Sequence, residues 1–254
     1  MVKVIRRKTR RALGRSNLPG IDYTLNPYIG CMHGCVYCYS RLYCPKEVGT
    51  NWGEVVVVKS NIAEVLRREI RRKSKGKIAL STLTDAYQPV ERDEKITRKL
   101  LQMLLNSGFS VSIQTKSDLV LRDADIITSH SVDVGFTITT LDDGLAKVVE
   151  PGAPAPSKRV RALERLHSEG VKTWIFLGPI LPGAEDDVET IVELARATDS
   201  ILVYDKYRVK KFMNSGIEGE LAERAKKMDW KVLARKIEKL YDRAFPAFGD
   251  RVLP

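Results

Sequence analysis

A chain of 254 residues with 43% hydrophobic content can build one sizeable core, which excludes a disordered or fibrous protein and suits a single α/β catalytic domain. Four cysteines, three of them within residues 31–38, make a poor disulfide framework and point to a metal site in the reducing cytoplasm. No early charged segment leads into a long apolar run, and no window reaches the roughly 18 apolar residues of a membrane helix, so a soluble cytoplasmic protein without a membrane partner is expected.

Much of the formal charge of +11 sits at the start of the chain, where Lys3, Arg6, Arg7, Lys8, Arg10, Arg11 and Arg15 have no acid among them. Residues 1–20 therefore read as a basic N-terminal arm, and residues 21–254 as one catalytic domain with C-terminal helices. Residues 21–28 read as an extended lead into an irregular cysteine loop. Asn61 is placed to cap a helix through about Lys73, with Ile62, Val65, Leu66 and Ile70 on one face. A second basic run follows at Arg67, Arg68, Arg71, Arg72, Lys73, Lys75 and Lys77, opposed only by Glu69. Such runs attract phosphates, although a solvated Lys/Arg-rich face has the same composition.

Short apolar and β-branched segments at 78–84, 111–115, 134–140, 173–180 and 201–204 predict strands. Between them the spacing predicts helices over 93–106, ended by Gly108; from Ser157 to near Gly170; and over 186–197. A last helix is predicted over 226–241, from Trp230, Leu233, Ile237, Leu240 and Tyr241. Alternating strands and helices imply parallel strands joined by helical crossovers, which periodicity alone allows to be either a barrel or a doubly wound sheet.

The loop Asn26-Pro-Tyr-Ile-Gly-Cys31-Met-His-Gly-Cys35-Val-Tyr-Cys38-Tyr39 separates its cysteines by three and then two residues. Thiolates so spaced can hold one corner of an iron–sulfur cluster and leave one iron without a protein donor. A structural zinc site needs a fourth ligand, for which His33 and Cys44 are at hand. That alternative reads the chain as a non-catalytic zinc or iron–sulfur nucleic-acid-binding protein.

The three-cysteine spacing with Tyr37 before its last member resembles the signature of the radical S-adenosylmethionine superfamily. Cys38-Tyr-Ser-Arg41, Trp52-Gly53, Thr84-Asp-Ala-Tyr-Gln-Pro-Val-Glu91, Gln114-Thr-Lys116-Ser and the run from Glu150 to Arg159 resemble its spore photoproduct lyase-like branch. The resemblance implies a partial (β/α)6 barrel whose strand ends surround a [4Fe-4S] cluster and S-adenosylmethionine, an electron donor as partner, and hydrogen abstraction from a substrate. It implies Cys31, Cys35 and Cys38 as cluster ligands, Thr84 and Asp85 near the cofactor's amino group, and Lys116 at its carboxylate. Thr139, with Thr140, would offer hydroxyls, Arg159 would stand near the cofactor or pair with Glu150, and Tyr37, Pro179 and Ile180 would line adenine. Tyr39 stands where tyrosines of that lyase take part in hydrogen transfer, and Cys44 is the spare thiol that could act as a displaced donor. The lyase's donor cysteine corresponds here to Thr82, whose O–H bond is too strong for that task, so the substrate is left open, with nucleic acid preferred for the two basic runs and a small metabolite or peptide as the alternative.

Overall fold

The computed structural model describes residues 2–129 and 131–247; the end of the expected domain beyond 247 lies outside them. In chain order the strands are β1 (Lys3–Arg7), β2 (Leu13–Arg15), β3 (Tyr23–Leu25), β4 (Tyr28–Ile29), β5 (Val55–Lys59), β6 (Lys77–Leu80), β7 (Ser110–Thr115), β8 (Val132–Thr137), β9 (Lys172–Ile180), β10 (Ile201–Lys206) and β11 (Ala244–Pro246). The helices are α1 (Lys46–Thr50), α2 (Ile62–Glu69), α3 (Glu91–Glu94), α4 (Ile96–Leu105), α5 (Ala124–Ile127), α6 (Asp143–Val149), α7 (Pro156–Ser168), α8 (Asp187–Ala197), α9 (Gly216–Lys227) and α10 (Trp230–Leu240).

The large sheet runs β2-β3-β6-β7-β8-β9-β10-β11, with β2 antiparallel to β3 and every later pair parallel. The order of β3 and β6 to β10 never reverses, whereas a doubly wound sheet reverses at its switch point. Crossovers of one hand then put the crossover helices on one face, and the sheet curls as a partial barrel. Its edges, β2 and β11, do not pair with each other, so the barrel is open.

Burial alternates along β7, where Val111, Ile113 and Thr115 are buried and Ser110, Ser112 and Gln114 are half-buried, because helices cover only one face. On the covered face Leu100, Leu101 and Leu104 of α4 join Ile78, Leu80, Val111 and Ile113 in one core cluster. Each such leucine contributes about 1.5–3 kcal/mol by leaving water. The open face carries Ser112, Gln114 and Thr137.

Several local expectations are corrected. The basic first residues are not a free arm: β1 pairs with β5 in a second, three-stranded sheet with β4, and β2 edges the large sheet. Asn61 precedes α2 but its side chain bonds the main chain of Thr9 and does not cap the helix, which ends at Glu69. The helix expected over 93–106 is broken at Lys95 (φ +48°), a break that lets Glu91 turn inward and accept the Thr97 N–H at 3.0 Å. Ala155 and Pro156 start α7, while Ser157 bonds Asp143. The helix expected over 226–241 is interrupted between Lys227 and Trp230, where Asp229 caps α10 through Lys231 N–H and Val232 N–H.

Candidate active site

The cysteine loop follows β4 and lies across the C-terminal ends of the parallel strands. Two turns at Gly30 (φ +85°) and Gly34 (φ +61°) need the left-handed region that glycine adopts cheaply. One side of the loop is held by the segment after the second barrel strand, β6, which ends at Leu80, short of the expected 84: Thr84 Oγ1 donates to Gly30 O at 2.6 Å, and Met32 N–H donates to Gln88 Oε1 at 2.8 Å. The other side is held by the segment after β8, where Val36 N–H donates to Val149 O at 3.0 Å and Gly152 N–H to His33 O at 3.0 Å. Gly152 lies so close that a Cβ there would overlap the Met32 carbonyl.

Cys31 and Cys35 are buried and Cys38 is half-buried; all three are free thiols. Burial pushes all three upward in pKa, Cys35 to about 12. Cys35 and Tyr37, with Val36 and Cys38 against them, pack under Leu181, Tyr207, Met213, Leu221 and Ala222, a roof completed by α9. Cys44 packs elsewhere, against Val48, Val55 and Val57 of the small sheet's core, and its Sγ donates to Ser40 O at 3.2 Å. Among the described residues no group of three His, Cys, Asp or Glu side chains is placed to hold a single metal ion.

Glu150, which ends α6 and is 1% exposed, is the hub beside the loop. Its carboxylate accepts from the Tyr37 hydroxyl and from Thr139 Oγ1 (2.9 Å), pairs with the Arg159 guanidinium, and stands 3.8 Å from Lys116 Nζ. Tyr37, Lys116, Thr139 and Arg159 are thus brought together around one carboxylate. Burial pushes the Glu150 pKa up, but the Lys116 and Arg159 cations outweigh it and hold the carboxyl below its ordinary value. Burial likewise works against the Lys116 charge, but Glu150 together with the Cys35 and Cys38 sulfurs outweighs it, so the ammonium is held above its ordinary value. Arg159 also donates to Pro154 O (2.9 Å) and Thr137 O (3.1 Å), which spends its guanidinium on the protein.

Asp85 is equally engaged. It accepts from Tyr87 N–H (2.8 Å), Thr115 Oγ1 (2.7 Å) and Lys116 N–H (2.8 Å), and stands 3.4 Å from His33 Nδ1. His33 Nε2, in the middle of the cysteine loop, is buried without a partner among the described residues. Thr140 sits apart from the hub, donating to Asp187 of α8 at 2.6 Å. Ile180 belongs to the main core, and Pro179 is half-buried beside it.

Tyr39, 47% exposed, donates its hydroxyl to Thr82 O at 2.7 Å and meets Tyr43 edge to face at 6.1 Å. Asn26 locks Thr82 from the first barrel strand, accepting Thr82 N–H at 3.0 Å. Gln88 was not singled out from the sequence, although it stands four residues after Thr84 and bonds its hydroxyl at 2.9 Å.

The chain is similar to known proteins at several levels. An uncharacterized protein of Methanocaldococcus jannaschii is 39% identical over 192 residues, which is 75% of this chain and 72% of that protein. An uncharacterized protein of Mycobacterium bovis is 35% identical over 181 residues, 68% of this chain and 53% of its own length, so the chain spans about half of that relative. Among solved structures, spore photoproduct lyase complexed with dinucleoside spore photoproduct matches with a TM-score of 0.66 and 14% identity over 96% of this chain and 81% of its own. A variant of that lyase with bound S-adenosylmethionine and the same dinucleoside matches with 0.64 and 17% over the same shares. At such identities the likeness to the lyase is one of fold. The family model of the Radical SAM superfamily matches residues 25–195, more than half of the chain. With the three-cysteine loop at the open ends of a partial barrel, this makes the chain an enzyme of the Radical SAM superfamily, whose cofactor is S-adenosylmethionine.

Proposed function

We propose that Cys31, Cys35 and Cys38 hold a [4Fe-4S] cluster, that the strand ends around Glu150 and Asp85 seat S-adenosylmethionine, and that the enzyme abstracts hydrogen from a nucleic-acid substrate with an external one-electron donor. The observation that carries this reading is one buried loop of three thiols pinned at the same strand ends as the charged hub. The donor set fits the cluster: three soft ligands under an apolar roof, with an unsatisfied His33 Nε2 in the same loop. Cys44, which bonds Ser40 O and packs against the small sheet's core, supports this reading over a closed four-ligand zinc site.

When bound, the cluster and cofactor supply reductive bond cleavage and hydrogen-atom abstraction. The protein's part is to hold and to shield. Lys116, at a distance beyond hydrogen-bond reach of Glu150, keeps a charged ammonium that can turn to a cofactor carboxylate. Arg159 and Thr139 position Glu150, Tyr37 lines adenine through its backbone, and Asp85 fixes the start of the Lys116 turn. The roof over Cys35 and Tyr37 keeps water from the loop. Nucleic acid is favoured over metabolite or peptide by the two basic runs and by the dinucleoside in the similar lyase structures. Thr82 at the mouth has no thiol to return a hydrogen atom, so lesion reversal by the lyase's route is not proposed.

Anaerobic reconstitution should give about four irons and four sulfides per chain, and reduction with S-adenosylmethionine should release 5′-deoxyadenosine. Cys35→Ala should lose the iron and Cys44→Ala keep it. A fully loaded protein that yields no 5′-deoxyadenosine would falsify the catalytic reading.

A further inference from the structure

The two basic runs are far apart in the chain, yet α2 brings them together. At its C-terminal end Glu69 accepts the Ala12 N–H (3.1 Å) on one carboxylate oxygen and the Leu13 N–H (2.8 Å) on the other. At its N-terminal end Asn61 accepts the Thr9 N–H (2.7 Å) and donates to Thr9 O (3.0 Å). Both ends of the helix therefore grip the stretch 9–13, and the one acid of the second run is occupied by main-chain donors.

What is left facing water is cationic. Lys8, Arg10 and Arg11 from the first run and Arg67, Arg71 and Arg72 from the second are exposed. The ion pairs of the two runs fall on Lys3, Arg6, Arg7, Arg68 and Lys77. Among the described residues none of the six pairs with a carboxylate.

The face also leads to the mouth. Lys59, two residues before Asn61, is half-buried, pairs with no carboxylate among the described residues, and sends Nζ to Asn26 O at 2.8 Å, at the C-terminal end of β3. Asn26 holds the Thr82 and Leu83 N–H groups, and Tyr39 reaches Thr82 O. Tyr39 and Tyr43, 47% and 70% exposed, offer rings at that end on which unpaired bases can stack.

We propose that this face, clasped by Glu69 and Asn61, is a track for the phosphate backbone of a single nucleic-acid strand that runs past Lys59 to the mouth beside Tyr39. The destination rests on the nucleic-acid reading above; the track itself does not need the cluster. Counterion release makes the binding steeply salt-dependent, about −0.7 in log K per log salt for each phosphate neutralised, hence a slope of about −4 for six contacts.

The test is fluorescence anisotropy of a labelled single strand of about 20 nucleotides with the full chain, iron-free and reconstituted, between about 50 and about 300 mM salt. The combined variant Arg67→Gln, Arg71→Gln, Arg72→Gln should flatten the slope by about 2 and weaken binding on the order of 10- to 100-fold at low salt. Lys226→Gln with Lys239→Gln, on the C-terminal helices, should change neither. Glu69→Ala is diagnostic in sign: removing an acid from a basic face strengthens polyanion binding on charge alone, whereas loss of the clasp weakens it, and weakening is expected. A salt-independent affinity, an unaltered triple variant, tighter binding by Glu69→Ala, or binding of phosphatidylserine vesicles in place of the oligonucleotide would each overturn the proposal. Since the iron-free chain is measured too, failure here leaves the 5′-deoxyadenosine result standing, and the reverse holds.

Discussion

Two buried glutamates, Glu150 and Glu91, sit in similar company and do different work. Each accepts from a tyrosine hydroxyl, Tyr37 or Tyr28, and each pairs with an arginine, Arg159 or Arg122. Around Glu91 the partners close on one another: Arg122 bonds the Glu91 carboxylate and carbonyl at 2.8 Å each and Asp123 at 2.9 Å, while Thr97 N–H takes the remaining position. That cluster ties the small sheet to α3 and α4, and Arg98, bonded to Asp123 at 3.1 Å, supplies the second cation for its two buried carboxylates. Around Glu150 the Lys116 ammonium hangs 3.8 Å away. A buried charge cluster that satisfies itself is a brace, while one that leaves a cation loosely held keeps a place for a charged guest.

The sharpest way to break that contrast is to remove the carboxylates. Glu150→Gln should cost about 3–5 kcal/mol of stability in urea denaturation, since it leaves two buried cations facing a neutral amide, and should abolish S-adenosylmethionine binding. Glu91→Gln should cost less, about 1–3 kcal/mol, because Arg122 keeps Asp123, and should leave cofactor affinity intact. The reverse order would make Glu91 the functional hub.

Lys116→Met separates guest from brace most directly. It should weaken S-adenosylmethionine binding about 10- to 100-fold, the equivalent of a charge-assisted hydrogen bond, with a smaller loss in the urea midpoint than Glu150→Gln. A stability loss as large as that of Glu150→Gln would make Lys116 a brace.

The pH response should carry a smaller signature. Glu150 is held below its ordinary pKa, so its contribution is complete above the unfolded carboxylate value of about 4.3 and is lost as pH falls through the depressed folded value. Lys116 is held above its ordinary value, so its contribution is complete below about 10.4 and is lost as pH rises through the raised folded value. Urea midpoints measured across pH should fall at both extremes, and the acid limb should be shallower in Glu150→Gln. Smallest of all, Tyr37→Phe should cost about 0.5–1.5 kcal/mol.

Much of the architecture was readable from residues alone, and for physical reasons. Strand segments such as 111–115 announce themselves by alternation because one face meets helices and the other faces the open side. The cysteine loop was legible because close spacing of three thiols has few other uses. What escaped reading were long-range polar bonds. Nothing in the local pattern says that Asn61 serves Thr9 and not its own helix, that Glu69 serves Ala12 and Leu13, or that Lys95 adopts a left-handed turn so that Glu91 can reach Thr97. The convergence of Tyr37, Lys116, Thr139 and Arg159 on Glu150 joins four separate segments, and only the pairing of Glu150 with Arg159 was visible in their sequence proximity.

The cysteine loop takes its position from Gln88 on one side and from Val149 and Gly152 on the other. On a growing chain the three thiols emerge more than a hundred residues ahead of the segment that finally seats them. Folding thus precedes docking of the loop, and maturation of the protein is ordered in time: the barrel's fourth strand must be made before the cysteine loop has a place to rest.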